Sequence, residues 1–206
     1  MRLSPQAVRH FLLPGIFLLT AICSAQSTPL ESSIGANVYT NFFFRFRYEF
    51  TPSWVPQPVS MDPEMEKRDR EGKAGAAKTP DSYVLLNLTR TLPDQGPNGR
   101  SRAVISLTAE EVPPHSEIVD GQAALLKFTD NLKKQHYITI GKLQVLKIGG
   151  HDFFRQDMKG KSEGADVYQS GVFTVLNGYA VGFLLTSPTQ PLLDNMAATL
   201  NKIQFF

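Results

Sequence analysis

Val172-Phe173-Thr174-Val175-Leu176-Asn177-Gly178-Tyr179-Ala180-Val181-Gly182-Phe183-Leu184-Leu185 is the stretch from which the fold can be read. Asn-Gly supplies both positive-φ residues of a two-residue type I′ turn, whose twist matches that of the strands it joins. A turn at 177–178 pairs Leu176 with Tyr179 and so sets the register of a hairpin. Because side chains alternate along a strand, Val172, Thr174, Leu176, Tyr179, Val181 and Phe183 share one face. Phe173, Val175, Ala180 and Leu184 share the other. Both faces are apolar, so the pair belongs inside a sheet covered above and below.

Helices are the covers that the flanking sequence offers. After Pro188 and Pro191, Leu193, Met196, Ala197 and Leu200 stand at i, i+3, i+4 and i+7, one apolar helical face. Upstream, Asp120 opens a second helix with Ala124, Leu125, Phe128 and Leu132 at helical spacing and Lys133-Lys134 in its last turn. Between the helices, Tyr137 to Ile148 reads as a strand, Gly149-Gly150 as a turn and His151 to Met158 as a strand paired back on it. Polar Lys159 to Gly164 reads as a loop.

Further towards the N-terminus, Tyr83–Leu92 and Arg102–Val112 form a long hairpin across the Pro93–Ser101 loop. Val84, Leu86 and Leu88 share one parity there, as do Ala103, Ile105 and Leu107. Phe42, Phe44, Phe46, Tyr48 and Phe50 alternate with Arg45, Arg47 and Glu49, the period of a strand with one buried face. Thr51-Pro52-Ser53-Trp54-Val55-Pro56 stops it, with Trp54 packed at the corner. Asp62-Pro63-Glu64 is a helix start, but mostly charged residues follow it, so 62–78 reads as a solvated insertion. Residues 26–37 read as a flexible lead-in and 38–206 as a single domain.

The N-terminal segment has the form of a secretion signal: Arg2, Arg9 and His10, an apolar run from Phe11 to Ile22, then Cys23-Ser24-Ala25-Gln26. The run is shorter than the roughly 18 residues of a spanning helix, and Pro14-Gly15 interrupts it. Small side chains at Cys23 and Ala25 place cleavage between Ala25 and Gln26, leaving residues 1–25 as the signal peptide and the mature form without a stable membrane span. The alternative is lipid anchoring through Cys23, for which Ile22 is a poor preceding residue. The expected location is therefore periplasmic or secreted.

Composition narrows the possible functions. The chain has 206 residues, 21 Lys plus Arg against 19 Asp plus Glu, 42% hydrophobic content and one cysteine. That length allows a sizeable core without staples. A lone cysteine excludes a disulfide framework and any site built from several thiols. Of the 21 basic residues, Arg2 and Arg9 lie within the signal, so the mature chain keeps 19 of each sign. Nucleic-acid binding, which needs a clustered basic surplus, is not expected.

The strand ending in Phe50-Thr51-Pro52-Ser53-Trp54 resembles the opening of PsbP-like and Mog-like domains, where an aromatic strand runs into a proline and a tryptophan. Gly149-Gly150-His151-Asp152-Phe153 and the closing hairpin plus helix extend the resemblance across about 38–206, with Ser53 where the family more often has glycine. The resemblance implies an α+β fold, an antiparallel sheet covered by helices on both faces as an α/β/α sandwich. It also implies an accessory, partner-binding role with no catalytic residues to transfer.

No nucleophile elbow, zinc-protease helix, dinucleotide fingerprint or phosphate loop occurs. His115, His136 and His151 lack the short spacing of paired metal ligands, so no metal or cofactor is expected. The cluster that invites chemistry is His151, Asp152, Arg155 and Asp157, of which His151, Arg155 and Asp157 share a parity. Without a nucleophile or metal beside it, it reads as a polar strand edge. The expected function is a non-catalytic module binding an envelope or secreted protein; the alternative is a small secreted hydrolase or a carrier of a hydrophobic ligand.

Overall fold

A computed structural model describes residues 28–58, 81–93 and 102–206. The expectations for the signal at 1–25, its Ala25–Gln26 cleavage point and the 62–78 insertion lie outside the described residues. In chain order the elements are β1 (Ser32–Gly35), β2 (Val38–Asn41), β3 (Phe46–Glu49), β4 (Val55–Pro56), β5 (Ser82–Thr91), β6 (Arg102–Glu111), α1 (Gly121–Lys134), β7 (Ile138–Ile148), β8 (His151–Ser162), β9 (Ala165–Leu176), β10 (Tyr179–Ser187), α2 (Gln190–Thr199), a 3-10 turn (Leu200–Lys202) and β11 (Ile203–Phe205). The strands form two antiparallel sheets, one ordered β4-β5-β6-β10-β9-β8-β7 and a smaller one ordered β1-β2-β3-β11.

The closing hairpin lies inside the larger sheet, with Leu176 opposite Tyr179 and φ of 49° at Asn177 and 80° at Gly178. Both of its faces are buried. Val172, Val181, Phe183 and Leu185 enter the main core with Tyr48, Leu193 and Met196, whereas Phe173 and Ala180 join Ala124 and Leu125 of α1. The covers differ from the expectation of helices alone. On the main-core side α2 shares the task with the smaller sheet, whose Tyr39, Phe46, Tyr48 and Ile203 are all buried. The reason is local: β3 alternates buried and exposed residues, so its aromatic face must itself be packed against another layer.

The expected strand from Phe42 is in fact a hairpin. Buried Asn41 accepts from the backbone N–H of Phe44 at 2.8 Å and donates to the carbonyl of Pro29, so its side chain organises a turn over 42–45. Arg45 takes φ +56° there, and Phe42 is exposed, while Phe44, Phe46, Tyr48 and Phe50 remain buried. The expected lead-in is structured too, because Ser32–Gly35 pairs with Val38–Asn41. Lys159–Gly164 is not simply a loop: β8 and β9 pair as far as Ser162 and Ala165, with Glu163 and Gly164 both at positive φ. Within β5 a bulge between Val84 and Leu86 breaks the expected parity, burying Leu85 and exposing Val84.

Helix α1 begins as expected, with Asp120 Oδ1 accepting from the N–H of Ala123 at 2.8 Å. Its first turn lies so close to β9 that a Cβ at Gly121 would stand 2.5 Å from the Phe173 carbonyl oxygen. Trp54 is buried in the main core at its corner, in keeping with its reading from sequence.

Candidate functional site

Strand alternation brings Arg155 and Asp157 to the main-core side of β8, and both are buried. The guanidinium meets the carboxylate in a fork: Nε donates to Asp157 Oδ1 at 2.9 Å and Nη2 to Asp157 Oδ2 at 2.8 Å. Nη2 also donates to Asp194 Oδ1 at 2.6 Å, and Nε lies 3.3 Å from Ser170 Oγ. Gln190 Nε2 donates to Asp157 Oδ2 at 3.0 Å and to Asp194 Oδ1 at 3.3 Å. The centre therefore combines β8, β9 and the first turns of α2. Burial pushes the Arg155 pKa down, but its hydrogen bonds and charge interactions with Asp157 and Asp194 outweigh that and hold it above the ordinary value.

This geometry suits holding, not proton transfer. Arg155 stays cationic, both Asp157 oxygens already accept hydrogen bonds, and the Ser170 hydroxyl is buried against the Arg155 guanidinium, with no histidine bonded to it among the described residues. Asp194, with a side chain 54% exposed, connects the network to solvent. Gln190 Oε1 is buried without a hydrogen-bond partner among the described residues.

His151 does not join Arg155 and Asp157. Four residues of strand separate it from Arg155, roughly 13 Å at the usual rise, and its exposed ring packs on Phe205 with centroids 4.2 Å apart. Asp152, on the opposite face, pairs with Lys147 at 2.5 Å. His115 and His136 lie at positive-φ positions outside the helices and strands. Among the described residues no group of three or more His, Cys, Asp or Glu is arranged to hold a metal ion. Nor is any helix among them long and apolar enough to cross a membrane.

Asp194, Gln190 and Ser170 could not be placed at the site from the sequence. The signal available was that Gln190 and Asp194 share a face at i, i+4 on a helix whose other face is apolar. The structure also holds a concavity that no sequence pattern signals. Ile118, Phe128, Phe173 and Leu184 line a groove of about 230 Å³ between α1 and the part of the sheet that α1 leaves open. Lys127 and Glu110, 2.5 Å apart, both line it.

No family model matches the chain, and no curated protein matches it. Among the solved structures that are similar in part are three. A Pseudomonas aeruginosa protein of unknown function, described as a putative regulator, is 19% identical over 60% of this chain and 80% of its own, with a TM-score of 0.39. The cyanobacterial PsbP of Synechocystis is 10% identical over 84% of this chain and 98% of its own, with a TM-score of 0.49. LpqN of Mycobacterium tuberculosis, described as involved in cell envelope biogenesis, is 15% identical over 77% of this chain and 82% of its own, with a TM-score of 0.46. At these values the likenesses decide neither family nor activity, and function has to be argued from this chain's own residues.

Proposed function

We propose that this chain is an exported accessory domain of the PsbP-like and Mog-like kind, binding another envelope or secreted protein and catalysing no reaction. The observation that carries the reading is the closed state of Arg155 and Asp157. Their charges are matched within the fold and with Asp194, while the imidazole that would complete an acid–base pair is stacked on Phe205. A polar network of this kind holds α2 against the sheet and leaves the exterior as the working surface.

The hydrophobic-carrier reading has the apolar lining of the groove beside α1 in its favour. Its 230 Å³ falls below the ~300–1,000 Å³ of sites that enclose a small molecule, so we rank it second. The test has two arms. Mature protein used as bait in its native envelope fraction should retain a specific protein. Screened against esterase, peptidase and glycosidase substrates, with and without zinc, it should show no turnover. Reproducible turnover lost on His151→Ala or Asp157→Asn, with folding intact, would replace this reading by the hydrolase one.

A further inference from the structure

We infer that the outer edge of β7 receives the partner, and that the partner supplies an extended, acidic segment that pairs with Gln144–Ile148 as an added strand. This rests on the partner-binding reading and names its surface and its chemistry.

Strand β7 ends the larger sheet and pairs only with β8 among the described residues. It is eleven residues long, yet only Ile148 is buried. Ile138 is 62% exposed and Val145 55%. An edge strand presents unpaired N–H and C=O groups, which is the template used in strand addition. A bulge divides this edge. The register passes from Ile140 opposite Asp157 to Gln144 opposite Arg155, with Gly141 at φ +71°. Gln156 Nε2 fastens the bulge by donating to the Ile140 carbonyl at 3.1 Å. Beyond the bulge, Gln144 to Ile148 runs in unbroken register as far as His151.

Charge decides which segment fits. Lys142 sits in the bulge, exposed and without an ion pair among the described residues, and Lys147 lies within the pairing run. Lys147 holds Asp152, but both side chains are largely solvated, so an incoming carboxylate can compete for the ammonium. Lys134 and Lys161 are likewise exposed, but each already has a carboxylate near it, Asp130 and Asp166, so Lys142 and Lys147 carry the charge of this edge. A second copy of the chain is a poor occupant, because Gln144–Ile148 paired antiparallel on itself sets Lys147 opposite Val145 and offers the lysines no carboxylate. An acidic strand meets Lys147 with carboxylates on the face that Lys147 shares with Val145, and its alternate apolar residues lie on the face of Leu146.

The test uses the mature protein and two seven-residue probes, valine alternating with glutamate and valine alternating with lysine. The acidic probe should bind and the basic one should not, with binding weakened by salt. Lys142→Glu together with Lys147→Glu should weaken the acidic probe by about tenfold or more. The thermal midpoint should fall only slightly, since Lys147→Glu faces Asp152 across the ladder but both side chains are largely solvated. An acidic probe N-methylated at alternate amides should lose binding, and the unmodified one should slow hydrogen exchange at 144–148.

Equal binding of the two probes, undiminished binding of the methylated one, or unchanged exchange at 144–148 would overturn the proposal. If the doubly substituted protein still captures the partner retained by the wild type, this inference fails and the partner-binding reading survives. If the wild type retains no partner and binds neither probe, both fail.

Discussion

Asp157→Asn tests whether the Arg155 network is a structural clasp. The substitution keeps the volume and one acceptor oxygen. It removes the charge that Arg155 holds in its fork and one acceptor used by Gln190. Taking one partner from a buried ion pair costs about 3–5 kcal/mol, because the other charge is left poorly compensated. Asp194 remains 2.6 Å from Nη2, which sets the expected loss at the lower end, about 3 kcal/mol. Asp194→Asn is the control. That side chain is 54% exposed, so solvent screening leaves it worth only about 0.5 kcal/mol. In urea, with a slope of about 2 kcal/mol/M, the midpoint should fall by about 1.5 M for Asp157→Asn and about 0.3 M for Asp194→Asn. Replacing the buried pair outright, Arg155→Met with Asp157→Leu, should restore most of the loss, since no orphaned charge remains. Equal effects of the two single substitutions, or a wild-type midpoint for Asp157→Asn, would refute the clasp.

Gly121→Ala should destabilise by about 2 kcal/mol, although helix propensity alone favours alanine by about 1 kcal/mol. The new Cβ would meet the Phe173 carbonyl oxygen at 2.5 Å; a gain in thermal midpoint would show that α1 does not approach β9 that closely. Gly178→Val, at φ +80°, should cost about 1–3 kcal/mol in chemical denaturation, and a neutral result would exclude the type I′ turn. Burial raises the phenol pKa of Tyr39 and Tyr48 above the ordinary 10.0, in each case against a smaller lowering by side-chain hydrogen bonds. The folded state thus favours their protonated forms, a contribution present in full below the unfolded value and lost as pH rises through the folded one. Phenolate absorbance should include a component that appears only as the protein unfolds at alkaline pH; simultaneous reversible titration of all the tyrosines would contradict it. Intact mass of the exported protein should place Gln26 first, and a lipid-bearing Cys23 would overturn that processing.

Asn177-Gly178 and the alternation on either side were legible because turn chemistry and strand parity act over a few residues. Asp120 and the apolar face of α1 were readable for the same reason. The Phe42 alternation misled at its start because Asn41, buried and bonded to Pro29 and to Phe44, makes a turn where parity alone continues the strand. At the candidate site, parity correctly set Arg155 beside Asp157 but suggested His151 as well. Parity names only the face a side chain points to; the four-residue spacing, at the usual strand rise, already sets His151 roughly 13 Å from Arg155.

What the sequence alone determined is therefore local: the closing hairpin with its register, the two amphipathic helices, and a central strand pair apolar on both faces. Which layers cover those faces was decided by tertiary structure, through β11 pairing with β3 and β1 with β2 to form the smaller sheet. The same holds for Asp194 reaching Arg155 across 39 residues of chain. Such contacts depend on where distant segments meet once the apolar faces have packed, and no short-range pattern encodes that meeting.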